Sequence, residues 1–170
     1  MPATYVLIST VTVGAGGSAT IVFSSIPQTY TDLSIFMSVR STSASNIGSV
    51  ALNMTINGVT TNRSARRLYS PIGSDAPATP RLGTAVTTST STASAFSNIH
   101  VYFSNYAGST FKSYSLDAFT PQASTSSYEG DYTSGLWSAT SAITDMSFSV
   151  SDSSNFAEFS TANLYGILKS

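Results

Sequence analysis

Hydrophobic and polar residues alternate with a period of two through most of this chain, the repeat of a strand with one buried face. The clearest run follows Pro27. There Leu33, Ile35, Met37 and Val39 alternate with Ser34, Phe36, Ser38 and Arg40. Proline cannot donate to a ladder, so Pro27 marks the start or edge of a strand. Phe36 interrupts the polar side of the pattern. It predicts a strand covered on both faces, in the middle of a sheet against which the other strands are built.

The rest of the chain reads the same way. Tyr5 to Val13 predicts a first strand, with Tyr5, Leu7, Val11 and Val13 on one face and Val6 and Ile8 on the other. Gly14, Gly16 and Gly17 supply a turn, and Ala19, Ile21 and Phe23 a second strand, which predicts an N-terminal hairpin. Val50, Leu52, Met54 and Ile56 alternate ahead of Asn57-Gly58, a pair suited to the two positive φ values of a type I′ turn. A return strand is expected from Val59. Ser70 to Thr92, with Pro71, Pro77 and Pro80, reads as one long loop at about 70–92, a length associated with function or disorder. Further strands are predicted at Phe96–Phe103, Phe111–Phe119, Tyr128–Trp137, Ala142–Val150 and Phe156–Leu168. No window carries a helical period with a cap. The expectation is one all-β domain over residues 1–170, a jelly-roll-like β-sandwich of about ten antiparallel strands with little or no helix.

Composition narrows the function. Charged residues make up 9% of the 170 and formal net charge is −1. A nucleic-acid binder needs a basic field, so no nucleic-acid partner is expected. Polarity comes instead from 34 Ser and 23 Thr, residues that suit strands and turns better than helices. Cysteine is absent, which removes disulfide and thiolate chemistry. No apolar run approaches the ~20 residues of a membrane span, and Met1-Pro2-Ala3 lacks the basic start of a signal peptide.

Candidate chemistry is sparse. His100 stands alone among histidines, and no Gly-x-Ser-x-Gly elbow singles out a nucleophilic serine. Glu129 and Asp131 lie two apart on one strand face. That is the only support for a glycosidase-type carboxylate pair. Glu129, Asp131 or Asp152 with Asn155 have oxygen ligands for calcium but no EF-hand spacing. The reading is no enzyme, no catalytic residue, no cofactor and no metal. Arg63, Arg66 and Arg67 concentrate three of seven basic residues within five positions. With Tyr69 and Arg81 they are the candidate partner-binding segment, set against a solvated hairpin end. Tyr128, Tyr132 and Trp137 are candidates for a sugar-stacking or interface platform, with Trp137 as a core residue the alternative.

Three segments carry a resemblance. Ile26-Pro27-Gln28-Thr29-Tyr30-Thr31-Asp32-Leu33 with Arg40 is the first. Ser134-Gly135-Leu136-Trp137 followed by Ser141-Ala142-Ile143-Thr144 is the second. The third is Asn155-Phe156 with Ser160-Thr161-Ala162-Asn163-Leu164-Tyr165-Gly166-Ile167. Together they resemble small virion structural proteins of tailed bacteriophages, cyanophages among them. The resemblance does not extend to Ser41–Thr92. It implies a capsid decoration or cement protein, bound to the major capsid protein on the outer capsid surface, self-assembling as a homotrimer in the host cytoplasm. A tail-associated module that recognises host glycan is the alternative, and no membrane partner is implied by either.

Overall fold

A computed structural model describes residues 4–70, 73–77, 81–121 and 129–168. Twelve strands form: β1 (Tyr5–Thr12), β2 (Thr20–Phe23), β3 (Asp32–Val39), β4 (Ala51–Ile56), β5 (Arg63–Ser70), β6 (Gly73–Asp75), β7 (Arg81–Ala85), β8 (Ser97–Phe103), β9 (Lys112–Thr120), β10 (Glu129–Trp137), β11 (Met146–Val150) and β12 (Thr161–Ile167). No helix occurs among the described residues. The strands make an eight-stranded sheet, β1-β12-β3-β8-β9-β10-β5-β6, and a four-stranded sheet, β2-β11-β4-β7. The architecture is an all-β sandwich.

The order has a simple logic. The chain passes from β1 to β4 by changing sheet at each step. It later retraces that path antiparallel, β7 beside β4, β8 beside β3, β11 beside β2 and β12 beside β1. Two excursions, β5–β6 and β9–β10, both join the large sheet beyond β8 and widen it to eight strands.

Inward residues of both sheets meet in one core. Leu33, Ile35, Met37 and Val39 of β3 are buried with Ile99, Val101 and Phe103 of β8, and with Leu52, Met54 and Phe148 from the smaller sheet. Phe23 packs edge-on against Phe148, with ring centroids 6.5 Å apart.

Local readings hold where period two acts alone and fail where the chain changes sheet. β1 and β2 form no hairpin, because the glycine-rich link carries the chain across the sandwich. A β-bulge between Leu7 and Ser9 shifts the register of β1. It leaves Tyr5 and Leu7 exposed while Val13 is buried, so these residues do not share a face. Asn57 and Gly58 take φ of 50° and 73°, and the Val59 N–H donates to Ile56 O at 2.8 Å. That is the expected tight turn, yet the chain then crosses to β5 in the other sheet instead of returning. Residues 70–92, expected as one long loop, carry β6 and β7. β7 supplies an edge strand of the smaller sheet. Phe36 is 40% exposed, so β3 is central in its sheet but covered on one face only.

One crossing is held by a buried ammonium. Lys112 is fully buried, and its Nζ donates to the carbonyls of Gly108 at 2.6 Å, Thr140 at 3.1 Å and Ser141 at 2.6 Å. It also sits 5.6 Å from the centre of the buried Trp137 ring. Burial pushes its pKa below the usual lysine value. The ammonium thus ties the start of β9 to the segment that leaves β10 for the smaller sheet. Lys112→Met leaves those carbonyls without a donor. It is expected to lower the unfolding free energy by about 2–3 kcal/mol in urea titrations, against near-neutral effects for exposed polar replacements.

Candidate functional site on the open face of the large sheet

Because the inner residues of β3 and β8 are buried, the alternate residues face outward by necessity. Antiparallel register aligns them in rows. One row runs from Thr10 on β1 through Asn163, Phe36, His100, Asp117 and Tyr132 to Leu68 on β5. Nothing covers this face in the described structure, and two apolar features stand on it.

The first is a belt of rings across four strands. Tyr5 meets Tyr165 at 6.2 Å, Tyr165 meets Phe36 at 5.8 Å, and Phe36 stacks on His100 at 4.5 Å with the planes 7° apart. Beneath it lies a polar chain. Ser34 Oγ is 2.8 Å from His100 Nε2, and His100 Nδ1 is 3.1 Å from Asp117 Oδ1. With the Nδ1 proton directed at Asp117, Nε2 accepts from the Ser34 hydroxyl. Beside it, Tyr102 donates to Asp32 Oδ2 at 2.7 Å. Burial, and then the Asp32 carboxylate, raise the Tyr102 phenol to about 12.

Serine, histidine and aspartate in this order are the connectivity of a nucleophilic triad. Two features of the site oppose that use. Ser34 has no exposed surface. It also lies mid-strand, paired to Tyr165 on one side and Tyr102 on the other, where backbone N–H groups are spent on the ladder and leave no oxyanion hole. What the chain of hydrogen bonds does is fix the His100 ring parallel to Phe36.

The second feature is an open apolar groove of about 730 Å³ toward the far edge, lined by Leu68, Phe96, Phe119, Pro121 and Tyr132 among others. Phe119 and Tyr132 meet edge to face at 6.1 Å.

The arginine segment is distributed between both faces of β5. Arg66 points outward and is exposed. Arg63 turns the other way and donates to Arg81 O at 2.7 Å, and burial lowers its pKa. Arg67 also turns inward. It pairs with Asp75 at 3.4 Å and with Glu129 and Asp131 at 3.5 Å, and its guanidinium lies 4.1 Å from the Tyr69 ring centre. Arg81 is exposed. The five residues therefore do not form one docking surface. Glu129 and Asp131 are taken up by this ionic cluster, with Asp131 fully buried and accepting from Ala85 N–H at 3.3 Å. Burial raises both carboxyl pKa values, and Arg67 opposes the rise.

Of the aromatic candidates, Tyr132 is exposed on the open face while Trp137 is buried on the inner one, so the two cannot share a platform. Tyr128 lies outside the described residues. Asp152 accepts from Ser43 and Ser154; burial would raise its pKa, and these donors outweigh it and hold it low. Among the described residues no group of three His, Cys, Asp or Glu side chains is placed to hold a metal ion. Sequence reading missed the belt and the Ser34–His100–Asp117 chain. The usable signal was parity: Phe36, His100 and Asp117 all occupy outward positions of strands that proved to be neighbours.

Comparison with family models, curated proteins and solved structures finds no match to this chain.

Arg67→Ala strips three carboxylates of their cation and is expected to cost about 3–5 kcal/mol in chemical denaturation, whereas Arg66→Ala changes stability by less than about 0.5 kcal/mol. Glu129 and Asp131 have raised folded-state pKa values, so their stabilising contribution is complete below the ordinary carboxylate range and is lost as pH rises through the raised values. Wild type is therefore expected to lose stability relative to Asp131→Asn as pH rises above the ordinary aspartate value of about 4, which paired urea midpoints will show.

Proposed function

We propose that this chain is a non-catalytic structural protein of a virion, a cement or decoration protein. It lies on the outer capsid surface and bridges neighbouring copies of the major capsid protein. The observation that carries this reading is the belt of Tyr5, Tyr165, Phe36 and His100 on a sheet face that nothing covers among the described residues. Large exposed apolar residues set among hydroxyls are the composition of an interface core with a polar rim. A few such anchors carry most of the energy of a contact, and the surrounding hydroxyls supply fit. The strand order lends further support. Two arms run antiparallel between two sheets, with β5–β6 and β9–β10 added, an order that resembles the jelly-roll plan of capsid and lectin domains. This is an analogy of architecture.

A second reading uses the same belt as a glycan platform on a tail-associated module. The Phe36–His100 stack favours it, because Asp117 and Asn163 flank the stack in the same row and offer hydrogen-bonding groups to sugar hydroxyls.

Purified protein added to capsids that lack it is expected to bind in proportion to shell subunits, with Phe36→Ala/Tyr165→Ala binding at least tenfold more weakly. Unchanged binding by that variant, or immunogold label confined to tails, sinks the cement reading. In the second case, loss of glycan binding by the same variant supports the alternative.

A further inference from the structure

Among the described residues Phe159 is the most exposed of the large hydrophobics, at 70%. Its backbone is also strained. A φ of +69° is a conformation that a bulky side chain rarely adopts. The turn is pinned from several sides. Phe159 N–H donates to Val13 O at 3.0 Å, Ala157 N–H to Arg40 O at 2.7 Å, and Ser160 N–H to Ala157 O at 3.2 Å. Strain held in place by its surroundings, with an aromatic ring projected into water, is the build of an anchor rather than of an idle turn.

The groove of Leu68, Phe96, Phe119 and Tyr132 supplies the matching hollow. Phe159 precedes β12 at the end of the sheet where β1 and β3 finish. The groove lies at that same end, where β9 and β5 finish and β8 and β10 start, as the paired row Thr161, Ser38, Asn98, Phe119, Gly130 and Ser70 establishes. Laterally the two are apart. Three strand steps separate β12 from β9 and five separate it from β5, about 14 and 24 Å. A pinned Phe159 does not reach its own groove. A copy placed alongside and rotated about an axis near the strand direction brings its Phe159 to it at the right height.

Charge agrees. Glu158, beside the knob, and Arg66, beside Leu68, Phe119 and Tyr132, are both exposed, and neither has an ion-pair partner among the described residues.

We propose that a second copy of this chain occupies the groove, Phe159 seating against Leu68, Phe119 and Tyr132 with Glu158 meeting Arg66. The contact is heterologous, and copies that meet at one height, with no rise along the axis, form a ring where the rotation divides a full turn. It does not depend on whether the assembly serves a capsid or a glycan.

Light scattering on size-exclusion fractions tests it. Wild type is expected to run as a closed oligomer. Phe159→Asn keeps a residue tolerant of positive φ and removes the ring, so it is expected to run as a folded monomer by circular dichroism. Tyr132→Asp, from the groove side, gives the same loss without touching the strained turn. Glu158→Arg and Arg66→Glu each weaken association at least tenfold, and the double variant restores it. A monomeric wild type at the highest soluble concentration overturns the proposal. So does an oligomer that survives both Phe159→Asn and Tyr132→Asp, or a double charge reversal that stays dissociated.

Discussion

The register of β3 is the constraint from which the large sheet follows. A slip of one residue turns Leu33, Ile35, Met37 and Val39 to water and brings Ser34, Phe36 and Ser38 into the core. Both edges of β3 are paired, to β12 and to β8, so its register is passed to the strands on either side. Once it is set, Phe36 must lie beside His100 and His100 beside Asp117. The aromatic belt and the polar chain under it are thus consequences of core burial, arranged on the outer face by demands made on the inner one.

Strand positions were legible because period two is a local property. Val50 to Ile56 and Ala142 to Val150 were read from alternation and are β4 and β11 within a few residues at each end. Sheet membership was not legible. The Gly14–Gly17 link looks the same whether it reverses a strand in place or carries it across a sandwich. The bulge at Leu7 could not be seen either, since one extra residue inverts the face of everything before it. Phe36 misled because an apolar residue at an outward position reads as burial when it is an exposed ring. The arginines misled for a different reason. The neutralising carboxylates of Arg67 include Glu129 and Asp131, more than sixty positions along the chain, and only the β5–β10 pairing brings them together.

Scarcity of charge acquires a second meaning in the folded molecule. Arg40 donates to the carbonyls of Thr92 and Ala95, Arg67 sits among carboxylates, and Lys112 is enclosed by carbonyls. Much of the small cationic supply is committed to holding loops and crossings. The exposed surface is left mostly to hydroxyls and rings, whose contacts are short-ranged and little screened by salt. Such a surface discriminates by shape more than by field.

The place of β12 has a consequence for biosynthesis. This strand is inserted between β1 and β3, which are made more than a hundred residues earlier. Until residues 161–167 emerge, β1 has no partner strand in the large sheet and β3 keeps one edge unpaired. Closure is a long-range step that cannot run ahead of translation.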